Sequence, residues 1–189
     1  IFVAGYAIYT MVAFQGPLLA YALPQLDLAT GQGRIEFASL QVLQFVLMVL
    51  ALGLLPVPVM KAVGIVLLCA NAAAVYFMQA YNFELDRSMI GNILNTDQRE
   101  VTQLWNPRLL GQIGLFGVLP SALILWLRLS SPRWVMRLGA VLAAFVLLVV
   151  WAYATAFTWP WFDKHASRLG GRVLPWSYVA NTMRYFNQV

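Results

Sequence analysis

Five apolar stretches, each close to the length a helix needs to cross a bilayer, leave this chain few folds to choose from. They cover residues 1–23, 37–55, 63–81, 109–127 and 138–159. A helical crossing takes roughly 20 residues. Inside lipid every backbone N–H and C=O must find its partner within the protein, so only helices and closed barrels span. The apolar runs are continuous rather than alternating, which excludes an outer-membrane barrel. The expected fold class is an all-α membrane protein with five transmembrane helices and amphipathic surface helices. Composition agrees: 61% of the 189 residues are hydrophobic and 10% are charged, where soluble domains carry roughly 25% charge. The mean hydropathy is +0.74. Gln15-Gly16-Pro17 interrupts the first stretch and predicts a kink there.

The charges sort by side. Lys61 lies in the connection between the second and third stretches, and Arg128, Arg133 and Arg137 lie in that between the fourth and fifth. Those connections hold no acid. Asp27, Glu36, Glu84, Asp86, Asp97, Glu100 and Asp163 all fall on the other side. The formal charge of +5 is therefore read as a topology signal, with no nucleic-acid partner implied. By the positive-inside rule the chain starts in the cytoplasm, and the loop after the third span and the C-terminus face outward, into a bacterial periplasm. The tail carries Lys164, Arg168, Arg172 and Arg184 as well. Tyr81, Trp105, Trp126, Trp134, Trp159 and Trp161 stand at span edges as an interfacial aromatic belt.

Against this background the polar run over residues 81–105 stands out, because four of the seven acids are in it. Wound as one helix over residues 86–105, it puts Met89, Ile90, Ile93 and Leu94 on one face and Asn92, Asn95 and Thr96 on the other. Asn92, Thr96 and Glu100 are spaced i, i+4, i+8, a row about 12 Å long at 1.5 Å per residue. Such a helix would lie along the membrane surface with its apolar face down. A second local reading breaks the helix near Asn95, with Asp97 and Glu100 opening a fresh one as a capping box.

The pattern Met89-Ile-x-Asn92-x-x-x-Thr96-Asp97-x-x-Glu100 resembles the N-terminal membrane domain of bacterial phosphoethanolamine transferases, among them the lipid A modifying enzymes associated with polymyxin resistance. The likeness extends to the Tyr76-Phe77-Met78-Gln79-Ala80-Tyr81 run before it, to Gly114-Leu115-Phe116-Gly117-Val118-Leu119-Pro120 and to Arg184-Tyr185. It is best over residues 76–189. Where the family often has Asn-Pro near the end of this domain, Leu174-Pro175 stands here, so no asparagine role is carried over. The resemblance implies a five-span domain over residues 1–160, with a periplasmic polar segment at 82–107, and a linker over 161–189 toward a periplasmic catalytic domain beyond this chain. It implies transfer of phosphoethanolamine from phosphatidylethanolamine to lipid A or a related glycolipid in the bacterial inner membrane, through a zinc-activated threonine in that following domain. Asn92, Thr96 and Glu100 would then be substrate-binding, with Glu100 as counter-charge to the donor's ammonium. No catalytic residue and no cofactor is expected in this chain. It begins without methionine and reads as a piece of a longer protein. The alternative is a non-catalytic lipid-binding or assembly subunit of the membrane.

Other polar residues have plainer readings. Gln41, Gln44, Asn71 and Gln79 lie within spans and are expected to hydrogen-bond between helices. His165 reads as an ordinary surface residue. One histidine and one cysteine, Cys69, do not make a usual zinc site. Arg168 and Arg172 are read as meeting either lipid phosphates or the following domain.

Overall fold

The computed structural model describes residues 1–97, 104–129 and 133–187. The described residues fold as helices, without strands. Helix α1 (Phe2–Phe14) continues into α2 (Gly16–Ala22) and a short 3-10 turn (Leu23–Gln25). Then come α3 (Gly31–Gly53), α4 (Val57–Tyr81) and the surface helix α5 (Arg87–Asn95). The next crossing is built from α6 (Pro107–Gln112), a π-helical segment (Ile113–Val118) and α7 (Leu119–Trp126). Helix α8 (Trp134–Ala154) returns, and the tail forms α9 (Trp159–Gly170) and α10 (Trp176–Phe186). Four helices are long and apolar enough to span, and the bent pair formed by α1 with Gly16–Gln25 is a fifth if counted as one broken span. The molecule is a multi-pass membrane protein of helical class.

Both interruptions in the spans trace to proline. Pro17 cannot donate a backbone N–H, and the chain turns by 65° at the α1–α2 break. Gln15 sits in the bend and donates its side-chain amide to Gln41 (2.8 Å) and Gln44 (3.2 Å) of α3. The expected interhelical role of these glutamines is what the structure shows. In the fourth span, Pro120 has no N–H to offer the carbonyl four residues back, that of Phe116. The ladder widens into the π segment, and the Tyr9 hydroxyl of α1 donates to Phe116 O at 3.0 Å.

The spans pack closely because small residues meet at their crossings, as helices in lipid require. A Cβ on Gly117 would stand 3.1 Å from the Cα of Cys69, and one on Gly64 would stand 3.2 Å from the Tyr6 ring. The Tyr6 hydroxyl donates to Gly64 O at 2.8 Å, so ring and backbone are locked together. Leu68 and Ala72 of α4 lie at the centre of the core, with Phe14 and Leu52 against it. Helix α8 differs: only Val141 is buried along its length. It offers most of its apolar surface outward.

The two ends of the bundle differ in charge as expected. Arg137 Nε donates to Gly53 O (3.3 Å), and Lys61 Nζ donates to Leu127 O (2.6 Å). Cations here satisfy carbonyls that helix ends leave free. Every acid among the described residues lies toward the opposite end, where α3 begins and α4 finishes.

Candidate functional site

The acid-rich end is built around the short segment joining α4 to α5. Asn82 ends α4 in the left-handed region (φ 51, ψ 42), where asparagine is tolerated better than most residues. The turned chain is then tied to the tail at three points. Leu85 N donates to Gly171 O (2.9 Å), Asn181 Nδ2 donates to Leu85 O (2.7 Å), and Arg172 Nη2 bridges to Glu84 Oε1 (2.8 Å). Arg172 also lies 4.7 Å over the Tyr21 ring. A fourth tie runs deeper: the Tyr178 hydroxyl donates to Asn71 Oδ1 of α4 at 2.9 Å, and burial raises the Tyr178 pKa.

Asp86 caps α5. Its Oδ1 accepts from Met89 N (2.8 Å) and from Ser88 Oγ (2.8 Å), and these bonds hold its carboxyl below the ordinary range, the Met89 amide contributing most. The helix turns Ile90 and Gly91 inward. Gly91 lets Tyr185 of α10 approach, since a Cβ there would be 3.0 Å from the ring. At the far end, Asn95 Nδ2 donates to Gly91 O (2.8 Å) and Thr96 Oγ1 donates to Asn92 O (2.7 Å).

Between α5 and the tail helices lies a cleft of about 910 Å³. Asn92 and Asn95 line one wall, and Ser167, Asn181 and Tyr185 line the other. Arg87 and Arg184 face into it from opposite sides and have no ion-pair partner among the described residues. With Asp86 engaged in capping, the cleft is cationic and rich in amide donors. That chemistry suits a phosphate-bearing ligand.

The expected site residues fare differently. Asn92 is exposed and lines the cleft. Thr96 terminates α5 with its hydroxyl donating to the Asn92 carbonyl, and it is not one of the residues that line the cleft. Glu100 lies outside the described residues. The uninterrupted helix over residues 86–105 is not formed: regular structure stops at Asn95, where the backbone turns extended at Thr96 (φ −65, ψ 128). The break expected near Asn95 is present, with Asn95 and Thr96 bonding back to carbonyls of the last turn, while the fresh helix opened by Asp97 and Glu100 falls on residues outside those described. The reading of His165 is also corrected. It is buried, its Nδ1 lies 2.8 Å from Trp161 O, and its ring packs 4.6 Å from Trp161. The one-turn spacing from Trp161 to His165 to Leu169 was the available signal, and charged neighbours masked it. Sequence reasoning missed Arg87 and Asn181, because the cleft they line joins segments some 90 residues apart in the chain.

The resemblance implies zinc in a following domain and not in this chain. No group of three His, Cys, Asp or Glu side chains comes together among the described residues. His165 is taken up by Trp161, and Cys69 lies inside α4.

The sequence profile of the family described as phosphoethanolamine transferase EptA/EptB matches residues 43–189. The chain belongs to that family. The EptA phosphoethanolamine transferase of Helicobacter pylori is 38% identical over 135 residues, which is 71% of this chain and 26% of that protein. The Escherichia coli phosphatidylethanolamine transferase Mcr-1 is 36% identical over 105 residues, covering 52% of this chain and 19% of its own length. Among solved structures, the integral membrane lipooligosaccharide phosphoethanolamine transferase A of Neisseria meningitidis superposes with a TM-score of 0.87 at 19% identity, over 98% of this chain and 36% of that one. That likeness shows the fold. The chain spans at most about a quarter of these curated relatives' length.

Proposed function

We propose that this chain anchors a transferase in the bacterial inner membrane and binds its lipid substrate. The enzyme moves phosphoethanolamine from phosphatidylethanolamine to lipid A or a related glycolipid. The orientation is that of the positive-inside rule, with the cleft and the C-terminus in the periplasm. The observation that carries this reading is the cationic, amide-lined cleft at the acid-rich end of the bundle, with Asn92 on its wall. A donor lipid diffusing in the outer leaflet meets the cleft at headgroup depth. Arg87 and Arg184 attract its phosphate, Asn92 and Thr96 offer neutral hydrogen bonds, and Glu100 supplies the counter-charge for its ammonium. The group transfer belongs to a following zinc-dependent domain with a threonine nucleophile, and the described residues here bind and orient.

The test is mass spectrometry of lipids from cells with and without the full-length gene, together with donor-lipid binding by the purified protein. Gain of a phosphoethanolamine adduct on a glycolipid that depends on the gene supports the reading. Donor binding without any transferred product would favour a non-catalytic lipid-binding subunit instead.

A further inference from the structure

A second, smaller pocket of about 290 Å³ lies on the other side of α9 from the cleft. Successive residues of a helix are set roughly 100° apart. Ala166 and Gly170 therefore share one face of α9, Arg168 lies on the opposite face with Arg172 in the turn just past the helix end, and buried His165 and Leu169 separate the two. The first face lines the cleft and the second lines the pocket. We propose that this pocket binds the phosphate monoester of a second lipid, with Arg168 as its cation.

The lining makes the case. Arg172 is neutralised by Glu84 and fixed over Tyr21, so it shapes the wall and adds little net charge. Arg168 has no such partner: it is exposed and makes no ion pair or hydrogen bond among the described residues. The side-chain amides of Gln25, Gln79 and Asn82 and the hydroxyl of Tyr21 also line the pocket, and none is engaged by a hydrogen bond among the described residues. Gln79 thus does not take the interhelical hydrogen bond expected of it. One uncompensated guanidinium surrounded by neutral donors is anion chemistry, and a carboxylate-free rim around Arg168 favours the dianionic monoester over a zwitterionic headgroup. The remaining lining, Pro17, Ala20, Pro24, Met78 and Phe83, comes from the ends of the first and third spans. The anion site is thereby bordered by apolar residues at the ends of spanning helices, which argues for a phosphate carried on a lipid rather than a free one. The two sites share α9 as their wall, so two headgroups can be held at one depth on either side of one helix.

The proposal stands on this pocket and does not require the transferase reading, so its test leaves transfer activity aside. Purified full-length protein in detergent is titrated with phosphatidic acid and with phosphatidylcholine, and bound lipid is counted by native mass spectrometry. Phosphatidic acid should bind at least about 10-fold more tightly than phosphatidylcholine. Arg168→Gln should erase that preference, since a hydrogen bond to a charged group corresponds to about a 10- to 100-fold change in affinity. Arg168→Lys should retain part of it. Arg128→Gln, which removes a cation from the opposite end, should leave it unchanged. Equal phosphatidic acid binding by wild type and Arg168→Gln overturns the site, as does an equal loss in Arg128→Gln. Competition by inorganic phosphate without any preference for phosphatidic acid overturns the lipid as the carrier.

Discussion

Asp86 holds the first turn of α5 through an interaction that titrates. Its folded pKa lies below the unfolded value because the Met89 amide and the Ser88 hydroxyl donate to the charged carboxylate. The stability it adds is present above the unfolded pKa, about 3.9, and is lost as pH falls through the lower folded value. Asp86→Asn retains a capping acceptor without the charge. Its melting temperature should therefore trail that of wild type at pH 7, and the gap should close in scans taken below about pH 4. Asp86→Ala removes the acceptor too and should cost about 1 kcal/mol at pH 7. The headgroup role proposed for Glu100 is separable from a capping role by charge. In the full-length enzyme Glu100→Gln should raise the donor KM about 10- to 100-fold, at roughly 1.4 kcal/mol per decade, with the melting temperature kept. Unchanged kinetics at normal stability would leave Glu100 without a part in donor binding. Asn92→Ala loses a neutral bond only and should raise KM by a smaller factor, about 3- to 10-fold.

At the scale of elements, the fourth span depends on a repair made by the first. Pro120 removes the N–H that Phe116 O would otherwise receive, and Tyr9 supplies a hydroxyl in its place. Tyr9→Phe should then destabilise the protein by about 1 kcal/mol, because an orphaned carbonyl in lipid has no water to turn to. Pro120→Ala restores a backbone donor, so Tyr9→Phe should cost less in that background. A double-mutant cycle in detergent unfolding reads the coupling directly. Equal costs in both backgrounds would mean that Tyr9 does something else. Gly117 is a second constraint on the same crossing. Gly117→Ala should push the π segment off the Cys69 backbone and destabilise by about 1–3 kcal/mol, since a backbone neighbour cannot rotate away as a flexible side chain can.

For the molecule as a whole, the charge-sorted ends make a topology prediction. Single cysteines replacing Asp97 and Arg133 in a Cys69→Ser background should differ in intact spheroplasts, with position 97 labelled by an impermeant maleimide and position 133 protected. The reverse pattern would invert the orientation and put the cleft in the cytoplasm. How far the sequence alone reached follows from which forces act locally. Five crossings, the bend at Pro17 and the separation of acids from Lys61 and Arg137 were legible in it, because bilayer thickness, proline stereochemistry and headgroup electrostatics act on stretches of one or two turns. Asn92 was legible as a polar residue in an apolar chain. Only the tertiary structure decided what surrounds it. The cleft exists because Asn181 reaches Leu85, Arg172 reaches Glu84 and Tyr178 reaches Asn71, contacts that join the tail to residues about a hundred positions earlier. His165 shows the same limit, since its neighbours in sequence are charged while its neighbours in space are Tyr21 and Trp161. A hydrogen bond's strength depends on which groups meet and how dry the meeting place is, and the order of residues along a chain carries neither.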